Sequence, residues 1–123
     1  MKPQELKIGN LVCYNGEVVK VEQITKHKIG YHTKPNETRL NYARLCEVEP
    51  IPITEELLLK CGFDKPCDGV YEHNYGEFEV TKEQEKWWVT WNGGADFWFE
   101  IKHLHQLQNA YYLVTGKELE IKL

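Results

Sequence analysis

Serine is absent from the 123-residue chain. A serine nucleophile is thereby excluded, and with it the G-x-S-x-G elbow of the hydrolases. Neither a phosphate-cradling glycine loop nor H-E-x-x-H occurs. The four cysteines, Cys13, Cys46, Cys61 and Cys67, contain no C-x-x-C pair, so no zinc ribbon or thioredoxin-like motif can be read. No apolar run approaches the roughly 18 residues of a membrane span. The opening MKPQELKIGN has lysines but no apolar segment behind them, so no signal peptide is read there. These absences lead to the expectation of a cytoplasmic protein with reduced thiols and no membrane partner.

Aromatic residues are plentiful, with four Trp and seven Tyr. They fill a core with few positions and leave aromatic surface for binding. Hydrophobic residues make up 41% and charged residues 28%, the balance of a globular chain. The formal charge of -4 is unevenly spread. Residues 1–52 carry eight Lys and Arg against six Glu, and residues 53–123 carry seven Lys against thirteen acids. The basic excess is densest from Lys20 to Arg44. Such asymmetry suits two halves that face different partners.

The first half reads as β. Asn15-Gly16 inside LVCYNGEVVKVEQI predicts a two-residue hairpin turn, with Tyr14 opposite Glu17 and Val12 opposite Val19. Val12, Val19 and Val21 then share one face, and Lys20 and Glu22 the other. HKIGYHT predicts a third strand. A turn at Lys34-Pro35-Asn36-Glu37 leads to a fourth near Glu37 to Asn41. Pro50 and Pro52 hold CEVEPIPI extended. Five short strands in about 50 residues suggest a small curled barrel, and the G-N-x-V…G-E-V-V-K-V rhythm resembles the opening hairpin of SH3-like barrels. A subdomain boundary is expected at residue 52 or 53, giving units 1–52 and 53–123 packed as one compact body.

A helix is predicted at TEELLLKCG, capped by Thr54 and stopped by Gly62, with Ile53 and Leu58 as a hydrophobic staple. FDKPCDG reads as a loop. Strands are expected at 70–73, 76–81, 86–91 and 97–101. Across NGGAD two registers stay open. A five-residue loop puts Trp88, Thr90, Trp98 and Glu100 on one face. A Gly-Gly turn pairs Val89 with Trp98 instead. Leu104, Leu107, Tyr111 and Val114 recur at helical spacing, from Lys102 to Gly116. The fold expected is α+β: a small SH3-like β-barrel, then an antiparallel sheet with a short helix and a longer C-terminal helix.

The segments LKIGNLVCYNGEVVKV, VEPIPITEELLLKCGF and HQLQNAYYLVTGKELEI together resemble a family of small uncharacterised proteins. That family is common in gut-bacterial genomes and in their prophages and other mobile elements. The resemblance implies a mobile-element association and no activity.

On a helix, His103 and His105 would stand about 160° apart, at roughly 100° per residue, and would not share a metal. Cys61, Cys67 and His73 form C-x5-C-x5-H, a spacing of no familiar zinc module. Buried small thiols are the plainer reading. A Cys–His nucleophile pair is not selected by anything in the chain. No catalytic residue, cofactor or metal is assigned.

Binding is better supported. Trp87, Trp88, Trp91 and Trp98 fall in two adjacent strands, and at least one should face away from the core side. The plainer reading is that a helix covers that face and buries all four. His105, Asn109, Tyr112 and Leu113 lie opposite the core stripe of the last helix, where Tyr112 and Leu113 would need a cover. Trp88, Trp98, Tyr112 and Leu113 are therefore the candidate protein-interaction residues. Lys20, Lys26, Lys28, Lys34, Arg39 and Arg44, with Tyr31 and Tyr42 interleaved, are the candidate nucleic-acid contacts. The expected function is a non-enzymatic interaction or adaptor protein with a protein partner, self or foreign. A weak nucleic-acid binder and an enzyme of unrecognised type are the alternatives.

Overall fold

A computed structural model describes residues 1–73, 77–91 and 98–122; the side chains of Trp91 and Trp98 lie outside that description. The chain divides into two compact units, Met1–Ile51 and Pro52–Leu123. The architecture is α+β, built from antiparallel sheets and a C-terminal helix.

In the first unit, Asn15 and Gly16 both hold positive φ, 55° and 81°. Their turn joins β1 (Leu11–Tyr14) to β2 (Glu17–Lys20), with Val12 opposite Val19 and Tyr14 opposite Glu17, the register expected from the sequence. Past Lys20 the strand bends and continues as β3 (Gln23–Ile24). Val21 N donates to Asn10 O and Glu22 N to Gly30 O, each at 2.8 Å. These two bonds carry the ladder from β1 to the next neighbour, β4 (Lys28–Tyr31). β5 (Asn41–Arg44) pairs with β4. A 3-10 turn at Leu45–Glu47 then leads to β6 (Val48–Glu49), which returns to β1. The two three-stranded sheets, β2-β1-β6 and β3-β4-β5, are open, and no closed barrel forms among the described residues. They share a core that includes Val12, Val21, Ile29, Ala43 and Leu45.

The strand expected near Glu37 to Asn41 lies further along, at β5. The loop holds Glu37 instead: its Oε2 accepts from Thr33 N at 3.0 Å, Thr33 Oγ1 at 2.8 Å and Asn41 Nδ2 at 3.3 Å. The Thr33 hydroxyl bond leads in holding the Glu37 carboxyl below its ordinary pKa.

The second unit opens with α1 (Glu55–Lys60), where Thr54 Oγ1 accepts from Leu57 N at 3.1 Å. An antiparallel meander follows: β7 (Asp64–Cys67), β8 (Val70–His73), β9 (Phe78–Glu83), β10 (Lys86–Trp91) and β11 (Trp98–Ile101). Within FDKPCDG, read as a loop, Asp64–Cys67 form an irregular edge strand. Pro66 has no N–H to donate, which an edge tolerates. Trp88 pairs with Glu100, Val89 with Phe99 and Thr90 with Trp98, the register of the longer loop. Val89, Val80 and Tyr71 form a buried row across three strands.

α2 (Leu104–Thr115) begins at Leu104 rather than Lys102. His103 is its N-cap, with extended backbone, and Gln106 Oε1 accepts from His103 N at 3.0 Å, a capping box. Gly116 ends the helix at φ 73°. Leu104, Leu107, Ala110 and Tyr111 are buried, and the Tyr111 ring meets Phe78 edge-on at 5.3 Å.

The β9–β10 turn holds Gln84 and Glu85 at φ 54° and 63°, which L side chains resist. Replacing the pair by Asn-Gly (Gln84→Asn with Glu85→Gly) relieves that strain. It is expected to add about 1 kcal/mol of stability. A thermal melt checks this, and an unchanged or lowered midpoint would refute the strain argument.

Candidate anion-binding face

The sheet β3-β4-β5 has two unlike faces, set by its register. Gln23 pairs with Gly30 and Gly30 with Tyr42, forming one cross-strand row. Lys28 pairs with Arg44 in the next row on the same side. The opposite side carries Ile24, Ile29 and Ala43, which point into the core. Lys28, Tyr42 and Arg44 therefore face outward, and Tyr42 is 52% exposed. Tyr31, grouped with Tyr42 by sequence, sits on the core side with its ring 5.9 Å from that of Tyr14. Burial is the main reason its phenol pKa is raised.

A tight turn positions the rest of the face. Thr25 N donates to Lys28 O at 2.9 Å, and Lys28 N donates to Thr25 Oγ1 at 3.0 Å, leaving Lys26 and His27 at the tip. Leu45 N donates to His27 O at 2.8 Å, tying the tip to the end of β5. Lys2, Lys26, His27, Lys28 and Arg44 thus line one depression of about 380 Å³, together with Leu45 and Cys46 but with no Asp or Glu. Like charges directly opposite across strands are destabilising, as Lys28 and Arg44 are. Among the described residues, no carboxylate pairs with Lys2, Lys26, Lys28 or Arg44. The electrostatics of the depression fit an anion.

The structure brings together Lys26, Lys28 and Arg44 of the six basic residues expected to act. Lys20, Lys34 and Arg39 are exposed but do not line the depression. Lys2 and His27 were missed by sequence reasoning. Lys2 lies far upstream and only the fold brings it here, whereas His27 stood in the open between two lysines.

The candidate protein-contact residues fall elsewhere, in the second unit. Leu113 is 83% and Tyr112 44% exposed on α2. Trp88 is half-buried, in a row with Thr81 and Glu100, on the sheet face opposite Val89. The Trp98 side chain lies outside the described residues. His105, expected to face outward beside Tyr112, is 2% exposed, and Gln108 is also buried. The packed side of α2 is therefore wider than its leucine stripe. With His103 serving as cap, the two imidazoles stack at 5.8 Å and 8° rather than standing on opposite sides of a helix.

Cys61 and His73 come together, lining one depression of about 380 Å³ with Lys60, Glu120 and Lys122, where a backbone group of Cys61 hydrogen-bonds His73, but Cys67 is not part of that lining. Cys67 is exposed on the edge strand, and Cys61 is buried with its thiol pushed up to about 11 by burial. No group of three or more His, Cys, Asp or Glu gathers in metal-binding geometry among the described residues. His73 instead packs edge-on against Phe63 at 5.1 Å and Tyr111 at 5.0 Å, with the Tyr111 hydroxyl 3.4 Å from its Nδ1.

Burial lowers the His73 pKa, against an opposing pull from Asp64. The unfolded chain then takes up the proton first as pH falls. The resulting stability is full above about pH 6.5 and is lost as pH drops toward the folded value. His73→Phe keeps the ring packing and should flatten this part of the profile. Melting midpoints between about pH 7 and 5 read the effect, and an unaltered slope in the variant would refute it. Cys61 should likewise resist alkylation under native conditions while Cys46 and Cys67 react; labelling followed by mass spectrometry checks it.

No family model, curated protein or solved structure matches the chain.

Proposed function

We propose that this protein acts by binding, as an interaction protein whose first unit holds a polyanionic partner on the outer face of β3-β4-β5. The observation that carries the reading is the direct pairing of Lys28 with Arg44, flanked by Lys2 and Lys26, with no acid in the lining. Phosphate groups are the chemistry that such a cluster satisfies, through charge-assisted hydrogen bonds. The whole chain carries -4, so attraction at long range is weak and binding depends on the local cluster.

The strand order supports reading the first unit as an SH3-like barrel. A bent strand is shared by two sheets, and a 3-10 turn precedes the strand that returns to β1. The mobile-element association and a cytoplasmic location belong to the same proposal. They rest on the family resemblance and on the lack of a long apolar segment.

A second reading is an adaptor that meets a protein through α2. Leu113 at 83% exposure beside Tyr112 favours it, because such a pair gains by being covered.

Salt dependence tests the first reading. With four cations engaged at about 0.7 counterion each, the affinity for a fluorescent oligonucleotide should fall with a log–log salt slope of about -3. Lys28→Glu combined with Arg44→Glu should abolish binding while leaving the melting curve in place. Binding that ignores salt, or that survives the double variant, would refute the reading.

A further inference from the structure

We infer that the partner of this face is single-stranded nucleic acid, with a base laid on the ring of Tyr42. The inference rests on the polyanion reading and adds what the cations alone do not specify. Tyr42 and Arg44 are two residues apart on β5, so they share a face at about 6.8 Å along the strand. Lys28 stands directly across from Arg44, and Gly30 directly across from Tyr42. The row through Tyr42 therefore has no side chain on its central strand. A Cβ at Gly30 would lie 3.1 Å from Gln23 Cβ and 3.2 Å from Leu40 Cδ1, because those two side chains close over the buried glycine beside Tyr42. The result is an aromatic ring, 52% exposed, one step from two phosphate-binding cations on the same sheet.

That juxtaposition selects among polyanions. A duplex keeps its bases stacked inside, out of reach of a ring on a sheet face. A single strand offers the π-face of each base at the same time as its phosphate. The Gln23 amide ends the same row and supplies donors and an acceptor for a base edge. Past Arg44 the depression lined by Lys26 and Lys2 continues the positive surface for a further phosphate. A chain of Asp and Glu would satisfy the cations but has no π-face to lay on the ring.

The test compares four labelled probes of equal length, about ten units, within the range of single-strand site sizes. They are oligo-dT, a duplex, an abasic sugar-phosphate chain and a poly-Glu peptide. Each is titrated by anisotropy against the wild type, Tyr42→Ala, Tyr42→Phe and the Lys28→Glu/Arg44→Glu protein, with melting curves confirming that each is folded. Oligo-dT should bind tightest. Tyr42→Ala should weaken it about tenfold and leave the abasic chain unchanged, and Tyr42→Phe should retain it. Equal binding of the duplex or the peptide, or no effect of Tyr42→Ala, would overturn this inference. If the salt slope and the cation dependence persisted, the polyanion reading would still stand. Failure of all four probes to bind would sink both.

Discussion

The hydrogen-bond ladder through Val21 and Glu22 sets what the first unit can present. One strand must serve two sheets, and its amides must stay bonded while it bends. Val21 N bonds back to Asn10 and Glu22 N bonds forward to Gly30, so the strand changes partners without leaving an amide bare. Val21 itself is fully buried at the bend. Once it is fixed, the alternation of β3, β4 and β5 follows: Ile24, Ile29 and Ala43 point inward, and Gln23, Lys28, Tyr42 and Arg44 outward. The candidate face is the reverse side of the core.

Local charge outweighs net charge in this molecule. Screening limits exposed charges to a reach of about 8–10 Å. The cations lining the depression therefore set its potential more than the net charge of the chain does. Surface lysines alone would be an ordinary solvated face. Direct opposition of Lys28 and Arg44, with Lys2 and Lys26 beside them, is a costlier arrangement that an anion relieves.

The second unit uses aromatic rings chiefly for packing. Phe63, His73, Phe78 and Tyr111 meet edge-on at 5.0 to 6.1 Å, a geometry worth more than area alone. His73 is drawn into this cluster as a ring, with buried Cys61 beside it in space and Cys67 left exposed. Tyr112 and Leu113 follow immediately after Tyr111 on α2, yet they stay exposed because the helix turns about 100° per residue.

What the sequence determined by itself was local. Asn15-Gly16 fixed the hairpin register because few other pairs accept two positive φ angles. Thr54 capped α1 and Gly116 ended α2 for reasons contained in a few neighbouring residues. The alternation within β10 was legible for the same reason, but its register against β11 was left open. Only the tertiary structure decided the rest. It gave Glu37 to Thr33 and Asn41, which displaced the next strand to Asn41–Arg44. It made His103 a cap and buried His105, because packing surrounded more of α2 than its apolar stripe announced. It sorted Tyr31 inward and Tyr42 outward, and it carried Lys2 to Lys26 and Arg44 across the length of the unit. Sequence spacing states which residues are neighbours along a chain; a shared face or pocket depends on long-range pairing, which spacing does not encode.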